Sequence, residues 1–285
     1  MSEGPESLGA GRTVAGYRLL RQIGQGANGV VYLAEDLAQA RTVALKLVPL
    51  PPGAGATAAR VAFMRSADTA RSLVHPGIVA LHAAGVDGGL AWLAMEAVPG
   101  TDLDRYTAAS RLLPEPLVLQ LCERVARALA YAHRQGVVHR DIKPANELVD
   151  WPSDTVKVAD FGLARAGDSV QTGTGIVPGS PAYLAPEQLA GGVPTPRSDF
   201  YALGVMLFQL LAGRLPHEGA SMGELLRRVA DEPAPDLRQL RPGLPASVSA
   251  LVRRLLDKRA SQRPADGDAL AEQLQAAAGA WAGRP

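Results

Sequence analysis

The first hundred residues carry short apolar segments that are separated by glycine-rich or polar turns. The segments at 17–23, 30–35 and 42–48 are rich in leucine, aromatic and β-branched side chains, which favours strands. Two further apolar runs, at 75–86 and 88–98, have the same character and meet at a pair of glycines. The pattern predicts a sheet of five antiparallel strands.

Between the third and fourth segments the apolar period lengthens to that of a helix. Residues 1–16, in contrast, are rich in Gly, Ser and Glu and show no period, so we expect a flexible N-terminal tail. The positions predicted to share the inward face of the helix are Ala59, Ala62, Phe63, Ser66, Ala70 and Leu73.

Beyond the Pro-Gly pair at 99–100 the chain is mostly helical in pattern. An apolar stripe runs through 117–135 and ends at a glycine, as helices commonly do. The sequence therefore predicts an α+β domain over 17–280, with a small β-rich lobe at about 17–98, a larger mainly helical lobe at about 101–280, and a cleft between them. Further helical periods occur at 198–212, 222–231, 246–257 and 266–278.

Composition narrows the classes of function. Twenty-nine basic and 28 acidic residues give a net charge of +1, so we expect no nucleic-acid partner. The single cysteine, Cys122, cannot form an internal disulfide, which favours a reducing cytoplasm. No segment of about 18 uninterrupted apolar residues occurs and the start of the chain lacks a signal pattern, so no membrane segment is expected.

Candidate chemistry begins with the glycine-rich sequence GQGANGVVY, which follows the first predicted strand. Glycines at 24, 26 and 29 would let backbone amides approach phosphate oxygens. The motif lies between two strands and not before a helix, which disfavours a dinucleotide fold. Lys46, in the next strand, would then contact phosphates, although an ordinary β-turn and a snorkelling lysine are the plainer alternatives.

The segment HRDIKPANELV at 139–149 is the most informative stretch of the chain. Asp141, Lys143 and Asn146 supply a carboxylate, an ammonium and an amide, the groups that phosphoryl transfer requires. Pro144 excludes a regular helix. The apolar pairs that flank the segment predict two short buried strands holding a stiff loop.

Together with VALK, DFG and APE, these motifs stand in the order found in eukaryotic-type serine/threonine protein kinases, and the sequence resembles the bacterial members of that family. The resemblance implies ATP-dependent phosphorylation of proteins, with Mg²⁺ or Mn²⁺ as the metal. It makes Asp141 the base, Lys143 the γ-phosphate contact, and Asn146 and Asp160 the metal ligands. The remaining ATP-binding positions that it implies are Ile23, Gly24, Gly26, Gly29, Val31, Ala44, Lys46, Met95, Glu96, Val98, Asp102 and Leu148.

The resemblance also assigns supporting roles. It implies that Glu187 and Arg263 form a buried ion pair, that Asp199 braces the catalytic loop, and that Ser180 contacts the catalytic aspartate. Hydroxyls in the segment after DFG are candidates for autophosphorylation. These candidate sites are Thr172 and Thr174.

Two positions depart from the family pattern. Ser66 stands where the family has a glutamate that pairs with the strand lysine, and Glu147 follows Asn146 where the family has an apolar residue. The first departure keeps a pseudokinase or weakly active nucleotide-binding scaffold open as an alternative, and a homodimer that completes the helix or phosphorylates in trans is also open. A small-molecule phosphotransferase fits poorly with a complete APE segment. Whether the chain is a piece of a longer receptor kinase is also open.

Overall fold

The chain folds into two compact units in the computed structural model. The smaller unit holds the described residues up to Pro99, and the larger unit begins at Gly100. No helix within the described ranges is long and apolar enough to cross a membrane. The residues that the structure describes are 9–26, 29–87, 89–161 and 181–282.

The smaller unit is an antiparallel sheet with one helix packed on it. The spatial order of the strands is β1-β2-β3-β4-β6-β5, and all neighbours pair antiparallel. The elements are β1 (Thr13–Val14), β2 (Tyr17–Gly26), β3 (Gly29–Asp36), β4 (Arg41–Pro49), α1 (Ala56–Arg71), β5 (Leu81–Asp87) and β6 (Leu90–Glu96).

The five predicted strands are confirmed, and a sixth precedes them. Strand β1 lies within the segment for which the sequence predicted a tail, where Thr13 pairs with Arg18 and Val14 with Tyr17. Two residues are too few to show a periodic pattern, so only the backbone pairing reveals this strand. The sheet therefore begins at residue 13.

The two faces of the sheet are buried in different ways. Along β4, Val43, Leu45 and Leu47 are fully buried on one face, whereas Ala44 faces the cluster that contains the buried side of α1. Because side chains alternate along a strand, Lys46 shares the face of Ala44.

Helix α1 confirms the predicted helix but corrects its inward face. Phe63 and Ala70 are buried as expected, and Ala67 is buried beside them. Ala62 is exposed and Ser66 only half-buried. The helical period of 3.6 residues carries the buried stripe through Ala67, so Ser66 lies at its edge.

The larger unit is built around α4, whose side chains are buried on almost every side. Helix α2 buries the predicted stripe of Leu121, Val125, Leu129 and Ala132. Each predicted helix is present, and two one-turn helices, α3 and α6, accompany them. The elements are α2 (Glu115–Arg134), α3 (Pro186–Leu189), α4 (Pro196–Ala212), α5 (Met222–Asp231), α6 (Leu237–Leu240), α7 (Ala246–Leu255) and α8 (Gly267–Ala282).

A small sheet in the larger unit corrects the expectation of strands on both sides of the loop. Its strands are β7 (Thr101–Asp102), β8 (Glu147–Asp150) and β9 (Thr155–Val158), in the order β7-β8-β9. The pair at 137–138 forms no strand. Pro144 starts a single 3₁₀ turn that ends at Asn146, a conformation compatible with its fixed φ.

Candidate active site

The segment at 139–146 is held from below by Asp199 of helix α4. One carboxylate oxygen of Asp199 accepts the backbone N–H of His139 and the other that of Arg140, both at 2.8 Å. Arg140 has a φ of 75°, a left-handed conformation that costs free energy unless its surroundings hold it. Asp199 supplies that restraint, which is the placement the sequence predicted for it.

Asp141, Lys143 and Asn146 converge on one carboxylate oxygen. The Lys143 ammonium donates to Oδ2 of Asp141 at 2.6 Å, and the Asn146 amide nitrogen donates to the same atom at 3.1 Å. The Asn146 nitrogen also donates to the backbone carbonyl of Asp141 at 2.7 Å. These contacts fix the position of the carboxylate through one of its two oxygens.

The β8–β9 hairpin connects Asn146 to Asp160. The backbone N–H of Ala159 donates to the carbonyl of Asn146 at 2.8 Å, one step beyond the last strand pair, Glu147 with Val158. Asp160 follows at once with a φ of 64°. The hairpin thus places the two predicted metal ligands at its open end.

The donor set at this open end suits a hard divalent cation. The amide nitrogen of Asn146 donates to Asp141 twice, so its amide oxygen is the atom of the side chain that could bind a metal. Asp160 adds a carboxylate. Oxygen ligands of this kind are the ones that Mg²⁺ prefers.

Asp102 and Leu148 are direct neighbours in the same small sheet. They form a register pair between β7 and β8, and both are half-buried. Gly100, the residue just before β7, has a φ of 156°, and a Cβ there would lie 2.2 Å from the carbonyl oxygen of Val149. Only glycine therefore lets β7 approach β8 closely enough to bring Asp102 beside Leu148.

In the smaller unit, the three glycines of the β2–β3 hairpin differ in whether the space around them would admit a side chain. A Cβ on Gly29 would lie 2.1 Å from the carbonyl oxygen of Leu47. A Cβ on Gly24 would make ordinary contact with Val31, and a Cβ on Gly26 would meet nothing within 4 Å. The described residues therefore explain Gly29 and leave the space beside Gly26 open for a ligand.

Strand register groups the other predicted nucleotide contacts of the smaller unit. Val31 pairs with Lys46, and Ala44 pairs with Met95. Lys46 is half-buried, and Ala44 and Met95 are 9% and 8% exposed. These positions belong to the face of the sheet that α1 covers in part.

The remaining predicted contacts of this unit lie at its edges. Glu96 ends β6, where its backbone N–H donates to the carbonyl of Ala80 at 2.8 Å and its carboxylate accepts the N–H of Ala80 at 3.3 Å. Val98 is half-buried and Ile23 is 43% exposed on β2. Burial in the core does not account for Ile23, so a ligand contact is compatible with its position.

Glu187 and Arg263 meet through two hydrogen bonds of 2.7 and 2.8 Å. The Arg263 side chain is fully buried, and Ser198 donates to the same carboxylate at 2.8 Å. Burial raises the pKa of Glu187 most strongly, but the hydrogen bonds from Arg263, its own backbone N–H and Ser198, together with the charge of Arg263, lower the net pKa below its usual value. The ion pair ties α3 to the segment that precedes α8.

The structure also shows a supporting residue that the sequence did not single out. His133 of α2 places Nε2 at 2.8 Å from Oδ2 of Asp199, the oxygen that also accepts the backbone N–H of His139. Its ring stands edge-on to Phe200, with centroids 5.4 Å apart. In the sequence, His133 could have been noticed only as a polar residue directly after the apolar stripe of α2.

Glu147, the second departure from the family pattern, is fully buried beneath the loop. Burial raises its pKa well above the usual value, and the nearby Asp199 carboxylate raises it further. Neither of its oxygens receives a hydrogen bond from a described residue. No basic side chain among the described residues hydrogen-bonds to it.

Three predicted positions lie outside the described residues. They are the candidate phosphorylation sites Thr172 and Thr174, and the predicted contact to the catalytic aspartate, Ser180.

Comparison with known proteins agrees with the motifs. The sequence model of the family described as "Protein kinase domain" matches residues 17–276. Serine/threonine-protein kinase PrkC of Bacillus subtilis is 39% identical over 85% of this chain and 37% of its own length.

Two other similar proteins extend the comparison. PknJ of Mycobacterium tuberculosis, a serine/threonine-protein kinase, is 40% identical over 90% of this chain and 44% of its own length. The DNA damage-responsive serine/threonine-protein kinase RqkA of Deinococcus radiodurans is 37% identical over 94% of this chain and 40% of its length. The chain spans less than half the length of these three relatives.

Proposed function

We propose that this chain, which belongs to the protein kinase family, transfers the γ-phosphoryl group of ATP to serine and threonine hydroxyls of proteins. The observation that carries the proposal is the geometry of Asp141. One of its carboxylate oxygens accepts from both Lys143 and Asn146, and the other would accept from the substrate hydroxyl. This is the arrangement that an oriented catalytic carboxylate needs.

The chain's own residues have separable tasks in this reaction. Asp141 orients the substrate hydroxyl and accepts its proton as the new P–O bond forms and the bond to the ADP oxygen breaks. Lys143 neutralises charge on the transferred group while its bond to Asp141 keeps the carboxylate in place. Asp199 holds the loop so that this geometry precedes substrate binding.

Asn146 and Asp160 would hold Mg²⁺, with Mn²⁺ as a substitute, and the metal would neutralise phosphate charge. The glycine hairpin and Lys46 would contact phosphates. The family resemblance assigns Ala44, Leu148 and the other apolar positions to contact with the adenine ring and Asp102 to contact with the ribose.

The alternative of a scaffold without catalysis depended on Ser66 alone. The similar proteins described above are named as serine/threonine-protein kinases and give that alternative no support. The polar groups that carry the chemistry are also all present.

Two further expectations belong to the proposal. Autophosphorylation of Thr172 or Thr174 would occur between two copies, and incorporation per molecule would then rise with protein concentration. The reaction would take place in the cytoplasm, where ATP is abundant and Cys122 stays reduced.

The test measures transfer from labelled ATP with Mg²⁺ to a peptide library in which each peptide has one serine, threonine or tyrosine. We expect label on serine and threonine peptides. Asp141→Asn should reduce it by about 10³-fold or more while nucleotide binding is retained. Nucleotide binding without transfer that depends on Asp141 would favour the scaffold.

A further inference from the structure

The closed end of the β8–β9 hairpin is clamped by an arginine from another element. Arg124 of α2 donates from Nη1 to the backbone carbonyl of Asp154 at 2.7 Å and to its Oδ1 at 2.8 Å. Its Nη2 donates to Oδ2, also at 2.8 Å. One guanidinium therefore holds both the side chain and the backbone of the residue at the turn.

Asp154 needs this support because of its backbone. Its φ is 50°, in the left-handed region that non-glycine residues rarely occupy. The hydrogen bond from Arg124 also lowers the pKa of Asp154, so the carboxylate is charged and the bond charge-assisted. The clamp thus selects one conformation of the turn.

The hairpin is short enough for its turn to matter. Each strand has four residues, and the register runs from Asp150–Thr155 at the turn to Glu147–Val158 at the open end. Strand β7 extends the hairpin by only two residues on one side, and a sheet this small is marginal without outside contacts. A change of register or twist at the turn would therefore reach Asn146 and Asp160, which flank the open end.

Helix α2 relates this hairpin to the catalytic loop. Arg124 holds the turn, and His133, nine residues later on the same helix, holds Asp199. Nine residues of α-helix span about 13.5 Å. One rigid element thus contacts both the hairpin with the predicted metal ligands and the aspartate that braces Asp141.

We propose that Arg124 is a positioning residue for phosphoryl transfer, which sets the separation of Asn146 and Asp160 through its clamp on Asp154. The inference rests on the proposed function, because the proposed kinase reaction makes Asn146 and Asp160 metal ligands whose separation matters. Arg124 contacts Asp154 at the turn, so its effect on the metal ligands would pass through the hairpin.

The Arg124–Asp154 contact should affect metal binding more than it affects folding stability. The side chains of Arg124 and Asp154 are 35% and 78% exposed, and ion pairs this exposed add little to folding stability. A displacement of about 1 Å at a metal ligand, in contrast, can cost about 10²-fold in rate. Loss of the clamp should therefore change metal use much more than melting temperature.

The experiment compares Arg124→Lys, which keeps the charge but loses the planar fork, with Asp154→Gly, which keeps the left-handed turn but loses the carboxylate. The matched control is Arg134→Lys, because Arg134 lies on the same helix and pairs with Asp268 far from the hairpin. Each protein is assayed for the Mg²⁺ concentration that half-saturates nucleotide binding, for kcat, and for hydrogen exchange at 147–158.

We expect both clamp variants to need about 5- to 20-fold more Mg²⁺ for nucleotide binding, to lose about tenfold in kcat, and to exchange hairpin amides faster. The double variant should be no more impaired in these measurements than the more impaired single variant, because both substitutions remove the same contact. An unchanged Mg²⁺ requirement in both, whatever the exchange rates, would overturn the inference. The binding and exchange measurements need no turnover, so failure of the wild-type protein to transfer phosphate would be seen separately.

Discussion

Glu147 and Asp199 are neighbouring buried carboxyls of the larger unit, and only Asp199 has donors. They are 0% and 1% exposed. Asp199 accepts hydrogen bonds from His133, His139 and Arg140, whereas no described residue donates to Glu147. The chain thus satisfies both oxygens of Asp199 with hydrogen bonds where that residue braces the loop, whereas Glu147 is destabilising.

Replacing Glu147 by an apolar side chain of similar length should stabilise the protein. A buried carboxyl without a hydrogen-bond partner costs on the order of 1–3 kcal/mol. Glu147→Met removes this cost with little change in volume. We expect the melting temperature to rise by roughly 3–8 °C, measured by calorimetry.

The control is Glu147→Gln, which keeps the shape and the buried polar atoms. It should gain much less than the methionine variant. A methionine variant that melts lower than wild type would contradict the view of Glu147 as a destabilising residue.

The glycines of the β2–β3 hairpin should separate stability from ligand binding. Gly29→Ala places a Cβ against Leu47 in a left-handed backbone, so we expect a loss of about 2 kcal/mol or more in the free energy of unfolding. Gly26→Ala meets no described residue within 4 Å and should change stability by less than about 0.5 kcal/mol.

Nucleotide titrations complete the comparison of the two glycines. Gly26→Ala should weaken ATP binding several-fold, because its Cβ would enter the space left for phosphates. ATP affinity equal to that of the wild type would argue against a phosphate contact at Gly26.

Restoring the family's carboxylate on α1 should raise activity. Ser66 is half-buried at the edge of the inward stripe, and a glutamate there would add a negative charge for Lys46. If the pair contributes about 2–4 kcal/mol in the transition state, Ser66→Glu should raise kcat/KM by on the order of 30- to 1000-fold. Ser66→Gln has the same length without the charge, and an equal gain in both variants would show that charge is not the cause.

A buried histidine should make stability depend on acidity. His217 is 5% exposed, and its Nε2 lies 3.2 Å from the Lys258 ammonium. Burial and then that ammonium lower the pKa of His217 from 6.5 to about 4. The folded protein therefore favours neutral His217, so its contribution is complete above pH 6.5 and is lost as the pH falls toward 4.

The measurement is the free energy of unfolding of wild type and His217→Gln between pH 4 and 8. Glutamine keeps an acceptor for Lys258 and never gains charge. The difference between the two proteins should shift in favour of the variant by on the order of 1–3 kcal/mol across this range. Parallel curves would show that His217 does not titrate on unfolding.

The periodic patterns predicted most of the secondary structure because they follow from local geometry. The stripe of α2 and the alternation along β4 record which face meets a core, so those elements agree with the structure. Strand β1 and the one-turn helices escaped prediction because two to four residues cannot show a period. The expected strand at 137–138 was wrong, since a buried valine such as Val137 also occurs in loops without strand pairing.

For the candidate site, too, some features could be predicted from the sequence and others only from the structure. The kinds of groups at Asp141, Lys143, Asn146 and Asp160 are readable from sequence, because phosphoryl transfer requires those functional groups at nearly fixed spacing. Their restraint is decided by contacts between residues far apart in the chain, such as His133 with Asp199 and Arg124 with Asp154. Such contacts depend on how whole helices pack, and packing leaves no local pattern in the sequence. Only the tertiary structure could show that Asp199 is fully hydrogen-bonded and Glu147 is not.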